Sequence, residues 1–340
     1  MTPTGQVTTA PERVGDGPSP DRLAPVRVIV VGAGMAGLTA AGRIARAGHE
    51  VTVVDKGRRA GGRLATQDLA DGGRADHGAQ FFTTRSDAFG EQVGQWATEG
   101  TAHVWCRGFT SEDGHPRYAV GGGMRRLGAR LADGLDVQTS TRVTSIVPSG
   151  AGWSVSWPDG PHSTAGRIVA DMVVVTAPVP QAAALLFDHV DVPDITYTPV
   201  LALTVALGAQ PAIPAPGGVQ LDDDPTWTWV ADNRAKGVSP SPAVTFHTRS
   251  DVATARWDDA AEVVTADLLG AAAPWLGDAE VVDVALHRWR YAAPTECHPE
   301  PCWVAPDGRI VLAGDAFGSP RVEGAFLSGF AAAAHVIGQR

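Results

Sequence analysis

The apolar run Val28-Ile29-Val30-Val31 has no polar position to turn toward water, so it reads as a parallel strand buried on both faces. It feeds Gly32-Ala33-Gly34-Met35-Ala36-Gly37. Residues 39–47 then keep a helical period, Gly48 ends the helix, and 49–54 alternate into a second strand that stops on Asp55. Two more buried strands are predicted at 172–176, closed by Ala177-Pro178, and at 310–315. Weaker patterns lie between them. Residues 124–132 form an amphipathic helix, 137–146 and 153–157 alternate as short antiparallel strands around Ser149-Gly150, and 243–247 and 281–291 alternate as further strands. Helices are predicted at about 258–269 and at 322–336.

Buried strands alternating with helices predict an α/β chain. A Rossmann-type dinucleotide domain is assembled from 26–85, 118–189 and 287–340, and an α+β substrate domain is inserted as 86–117 and 190–286. Residues 1–25 are rich in Pro, Gly, Thr and Asp and carry no apolar stretch, so they are expected to be a disordered tail rather than a leader or anchor.

The glycines carry the first chemistry. Gly32 makes the tight turn, Gly34 lets a pyrophosphate approach the backbone, and Gly37 lets the helix pack on the strand. The helix N-terminus offers free N–H groups and a partial positive charge to the phosphates. Asp55 stands where an acid binds both ribose hydroxyls. Just past it, Gly61-Gly62-Arg63 places a planar fork of donors beside the pyrophosphate. The block Asp76-His77-Gly78-Ala79-Gln80-Phe81-Phe82-Thr83 has little charge and a small-residue turn, which suits a chain crossing close to a ring system.

A glycine fingerprint alone does not separate NAD from FAD, but the late strand does. FAD binds extended, so its ribityl chain needs an acid near the end of a late strand, which Asp315 of Gly314-Asp315 supplies. Its pyrimidine edge gains negative charge on reduction and needs a helix N-terminus aimed at it, which the helix opening at 321–324 supplies. The expected cofactor is therefore FAD.

Composition narrows the partners. With 44% hydrophobic residues in 340, the chain can bury one large core or two moderate ones. A net charge of −10 without a Lys/Arg run argues against nucleic acid and anionic membrane surfaces. Three cysteines, Cys106, Cys297 and Cys302, are few and odd in number, as in a reducing cytoplasm, where the protein is expected to reside. Cys297-His298 with Cys302 lacks a second cluster to complete four ligands, so no metal is expected. The most apolar region, 172–187, is interrupted by Pro178 and Pro180, so no membrane span is expected.

The fingerprint, Asp55-Lys56, Gly61-Gly62-Arg63-Leu64-Ala65-Thr66, the Asp76 to Thr83 block, His287-Arg288-Trp289-Arg290-Tyr291-Ala292, and Gly314-Asp315-Ala316 with Arg321-Val322-Glu323-Gly324-Ala325 together resemble renalase, a branch of the amine-oxidase-like flavoproteins. The resemblance implies noncovalent FAD and oxidation of 2- or 6-dihydro isomers of NAD(P)H to NAD(P)⁺, with O2 taking the electrons as hydrogen peroxide. It assigns Gly32, Gly34, Ala36 and Gly37 to the phosphates, and Asp55-Lys56 to the adenosine ribose. Gly62-Arg63 goes to the pyrophosphate, Val143 to a backbone contact with adenine, and Gln80 with Phe81 to the flavin. Asp315, Val322 and Gly324 fall at the ribityl and pyrimidine end, and His247 and Trp289 in the substrate cavity. Gly121-Gly122-Gly123-Met124 departs from the family, which usually has a proline in this turn, and much of 190–285 matches weakly.

In this reading Trp289 is a flat wall against the nicotinamide ring and His247 donates a hydrogen bond to its carboxamide; a satisfied structural histidine and a core tryptophan are the plainer alternatives. Two other functions compete. One is an amine oxidase or a desaturase of a small metabolite; the other is a flavin-binding protein without turnover. An amine oxidase would usually link a lysine through water to the flavin N5, and neither Lys56 nor Lys236, the only lysines, lies in a block expected for that role.

Overall fold

The computed structural model describes residues 25–109, 111 and 113–339, so the expected disordered tail lies, apart from Pro25, outside the described residues. The buried run at Arg27–Val31 becomes the centre of a six-stranded sheet. Its order is Trp303–Val304, Ile310–Leu312, Met172–Val175, Arg27–Val31, Glu50–Val54, Asp136–Gln138. All neighbours are parallel except the antiparallel edge pair Trp303–Val304 and Ile310–Leu312. Ile29, Val31, Val173 and Val175 face a layer made by the antiparallel meander Ser145–Ser149, Gly152–Trp157 and Gly166–Ala170 and by the helix Val179–Leu186. Val28, Val30 and Val174 face the helices Met35–Arg46 and Arg321–Gly338. Those two helices approach so closely that a Cβ at Gly329 would overlap the Ala36 carbonyl.

Residues 137–146 are not one antiparallel strand. Val137 pairs in parallel with Val53 at the edge of the large sheet, and the hairpin partner of Gly152–Trp157 is Ser145–Ser149. The break has a polar cause: Ser140, at φ +56°, and Thr141 donate their N–H groups to Gly57 O and Asp55 O, so the chain turns there to cap the loop after the second strand.

The second domain is a five-stranded antiparallel sheet, ordered Gly218–Gln220, Trp227–Asp232, Ala243–Thr248, Tyr197–Leu207, Val281–Pro294. Leu201, Leu203, Val205, Val230, Val244 and Phe246 bury one face under the helices Ser250–Ala255 and Ala261–Leu276. The expected boundary at 286/287 falls inside the strand Val281–Pro294, which stays paired with Tyr197–Leu207 as far as Pro294 opposite Tyr197. His287 and Trp289 therefore stand in the substrate sheet. The first excursion also starts later than 86, because Phe89, Val93 and Trp96 of the helix Asp87–Thr98 are buried with Met35, Leu127 and Phe326 of the nucleotide domain.

Candidate active site

The phosphate turn is shaped by missing side chains. Gly32 has φ +112°, and a Cβ there would overlap the Thr176 hydroxyl; one at Gly37 would overlap Gly32 O. Gly34 has nothing within 4 Å of a Cβ position, so bare backbone faces open space at the N-terminus of Met35–Arg46. Ala36 is buried in the first turn. The Gly61-Gly62-Arg63 loop rests on this turn, since Gly61 donates to Ala33 O at 2.7 Å and a Cβ on Gly62 would lie 3.2 Å from Gly34 Cα. Asp55 takes the Ala33 N–H at 2.6 Å on one oxygen and the Gly57 N–H at 2.6 Å on the other, leaving lone pairs for further donors. Burial pushes its carboxyl up, and the two N–H groups oppose that. Lys56 points its ammonium to Gln181 Oε1 at 3.2 Å, and Val143 is buried in the core under the meander.

Arg63 and Asp315 face each other. The guanidinium forks the carboxylate at 2.5 and 2.7 Å and also donates to Tyr291 O and Ala292 O, each at 3.2 Å. The fork expected on a phosphate is here taken by the acid expected on the ribityl chain. Arg321–Gly338 opens beside them, with Val322 buried and Gly324 packed so tightly that a Cβ would overlap Ser319 O. Glu323 in its first turn accepts from Arg85 N–H and from Ser86 N–H and hydroxyl, at 3.1, 2.7 and 2.7 Å.

The 76–81 loop lies along one face of the substrate sheet. Directly paired residues share a face, and register puts Trp229 opposite His247, His247 opposite Ala202, and Ala202 opposite His287. Over that row, His77 O accepts from Trp289 Nε1 at 2.8 Å and lies 3.2 Å from His247 Nε2. A carbonyl only accepts, so His247 Nε2 carries the proton. His77 itself stacks on Trp289, centroids 5.4 Å apart at 18°, and sits 4.5 Å from His287. Burial lowers His77 to about 3, with the neighbouring imidazoles of His287 and His247 adding to the effect, and lowers His247 to about 4, with its hydrogen bond to His77 O opposing the shift and Lys236 adding to it, so both imidazoles are neutral at pH 7. A neutral His247 with its one N–H on His77 O has none left for a carboxamide, which corrects the donor role expected of it.

Lys236, set aside on sequence grounds, turns out to be central. Its ammonium is fully buried, 3.1 Å from Asp76 Oδ2 and 3.2 Å from Gln80 Oε1. Asp76 Oδ1 accepts from Thr66 Oγ1 at 2.6 Å and Met124 N–H at 2.8 Å, and the Asp76 backbone is held by Asn233 and Thr245. The Gln80 amide donates to Asp76 O at 2.5 Å and Gly78 O at 3.1 Å, so it has a single orientation. Phe81 then enters an aromatic box, with Phe109, Trp229 and Trp105 centroids 5.0, 5.4 and 6.4 Å away. Trp229, 7% exposed, has no hydrogen-bond partner for its indole nitrogen among the described residues, and neither has His77 Nδ1. The surplus of tryptophan, ten in all, was the one sequence signal for this box.

Residues 30–94 match the model of the NAD(P)-binding Rossmann-like domain, and residues 94–337 match that of the flavin containing amine oxidoreductases. The chain belongs to the flavin containing amine oxidoreductase family. It is an FAD-dependent oxidoreductase, and the bare turn at Gly34, the Asp55 acceptor and the two helix N-termini fit that cofactor. Curated relatives match only in part. An L-amino acid oxidase from Bothrops pictus is 60% identical over 42 residues, 12% of this chain and 8% of that protein. One from Siganus canaliculatus is 37% identical over 100 residues, 29% of this chain and 18% of that protein. The matches thus span less than a fifth of these relatives' length. Among solved structures, a putative protoporphyrinogen oxidase from Exiguobacterium sp. 255-15 aligns over 94% of this chain and 100% of its own, at 14% identity and TM-score 0.72. A triple mutant of putrescine oxidase aligns over 93% and 99%, at 16% identity and TM-score 0.67. Among the described residues no helix is long and apolar enough to cross a membrane.

Proposed function

We propose that this protein is a renalase-like oxidase. It takes hydride from 2- or 6-dihydro isomers of NAD(P)H, releases NAD(P)⁺ and passes both electrons, with a proton from solvent, to O2 as hydrogen peroxide. The observation that carries this reading is the meeting of the His77 loop and the His287–Trp289 strand in one cluster of rings, with His77 and His247 held neutral. A dihydropyridine is an uncharged donor that loses hydride without losing a proton from carbon. It needs a flat wall and a fixed pose rather than a strong base. An ammonium substrate would draw on a free carboxylate. Asp76 and Asp232 already have partners: Asp76 has Lys236, and Asp232 has Gln210 and the Arg234 and Ala235 N–H groups.

Bound FAD supplies the hydride acceptor. The residues of the chain do the positioning. Trp289 presents its ring as a wall and anchors it through Nε1 to His77 O, while His247 pins the same carbonyl and so fixes the loop that leads to Gln80 and Phe81. Asp55 and the 32–37 turn hold the adenosine and phosphate end, and the FAD is noncovalent. Three free cysteines suit a reducing cytoplasm.

Amine oxidation is the second reading, favoured by the family's description and by Lys236, a buried cation in contact with Gln80. A peroxide assay separates the two. The dihydronicotinamide isomers should yield one H2O2 per NAD(P)⁺ formed and primary amines none; peroxide from amines alone would reverse the assignment.

A further inference from the structure

Two of the ring N–H donors near Phe81 are already taken: His247 Nε2–H is on His77 O, and Trp105 Nε1–H is on Pro216 O at 2.9 Å. The indole N–H of Trp229 is buried without an acceptor among the described residues. Buried donors are almost always paired, so one left open beside a functional loop points to a partner that arrives with a ligand. Trp229 is the direct cross-strand partner of His247, and its ring lies 4.9 Å from Phe109 and 5.4 Å from Phe81. Its surroundings thus supply flat apolar contacts and one open indole donor. They supply no free carboxylate, because the nearby Asp76 is paired with Lys236.

We infer that Trp229 determines substrate specificity: its indole N–H donates to the carboxamide carbonyl of the nicotinamide ring, with Phe81 and Phe109 confining that end of the ring. This rests on the dihydronicotinamide reading and moves the carboxamide donor from His247 to the residue beside it. A site that donates one hydrogen bond binds an analogue lacking the acceptor less well, because the buried donor is left unpaired.

The test is equilibrium binding to the oxidised holoenzyme, which does not depend on turnover. The probes are nicotinamide mononucleotide, its counterpart with a methyl in place of the carboxamide, and AMP. Wild type should prefer the carboxamide over the methyl compound by roughly five- to tenfold, the range for one net hydrogen bond. Trp229→Phe should erase that preference, and Trp229→His, which keeps a ring N–H, should restore part of it. AMP binding should be the same in all three. Equal binding of the carboxamide and methyl compounds to wild type overturns the inference even if no variant holds FAD, as does a preference that survives Trp229→Phe, or a loss confined to AMP. Reduction of the flavin by the isomers is read separately, so a failure of the substrate reading and a failure of the Trp229 assignment remain distinct.

Discussion

Lys236 Nζ lies 3.1 Å from Asp76 Oδ2, and both side chains are fully buried. Burial lowers the lysine, while the carboxylate beside it opposes the shift. Taking two charges out of water is costly, and removing one partner leaves the other uncompensated. Lys236→Met should therefore destabilise the protein by about 3–5 kcal/mol, and adding Asp76→Asn should recover much of the loss. Urea denaturation of the two variants measures this, and additive losses in the double variant would show that the pair is not coupled.

The neutral imidazoles of His77 and His247 set an acid limit. Both sit near 6.5 in the unfolded chain and at about 3 and about 4 in the folded protein, so below pH 6.5 the unfolded state binds more protons. Their contribution to stability is complete above pH 6.5 and falls away as the pH drops through 4 toward 3. Tm should decline over that window, and His77→Asn should flatten the decline. An unchanged slope in the variant would remove His77 as a contributor.

Arg63→Ala breaks the fork onto Asp315, the acid expected at the ribityl chain. Charge-assisted hydrogen bonds contribute about 1.5–3 kcal/mol, so FAD affinity should fall roughly ten- to a hundredfold. Titration of the apoprotein with FAD gives the number, and affinity equal to wild type would take Arg63 out of the site.

The flavin should leave the chain on heat or acid denaturation. Cys297 is the thiol nearest the groove, with its Sγ 3.4 Å from Asp315 O, and burial together with the Asp315 charge pushes it up, so it is held as a neutral hydrogen-bond donor rather than a nucleophilic thiolate. Yellow colour retained by the precipitated protein would contradict this.

The nucleotide half was legible because its signals are local. The glycine spacing, the strand before it, Asp55 after it and the Ile310–Leu312 strand each declare themselves within a few residues, and the structure places them side by side. The substrate half depends on register. That Trp229 meets His247, that His247 and Trp289 share one carbonyl, and that Asp76 meets Lys236 are consequences of antiparallel pairing across long separations, which alternation alone does not encode. That the 286/287 position lies inside one strand has a related cause. Val281–Pro294 holds no turn signal at that point, so its sequence does not mark a division there.

The most direct test of the central claim is anaerobic stopped-flow mixing of the holoenzyme with 2- and 6-dihydro-NAD(P) and, separately, with primary amines, following flavin absorbance. The isomers should bleach the flavin and the amines should not. Trp289→Ala should slow bleaching while retaining FAD, with the later reoxidation in air changed far less. Bleaching by an amine, together with none by either isomer, would contradict the account.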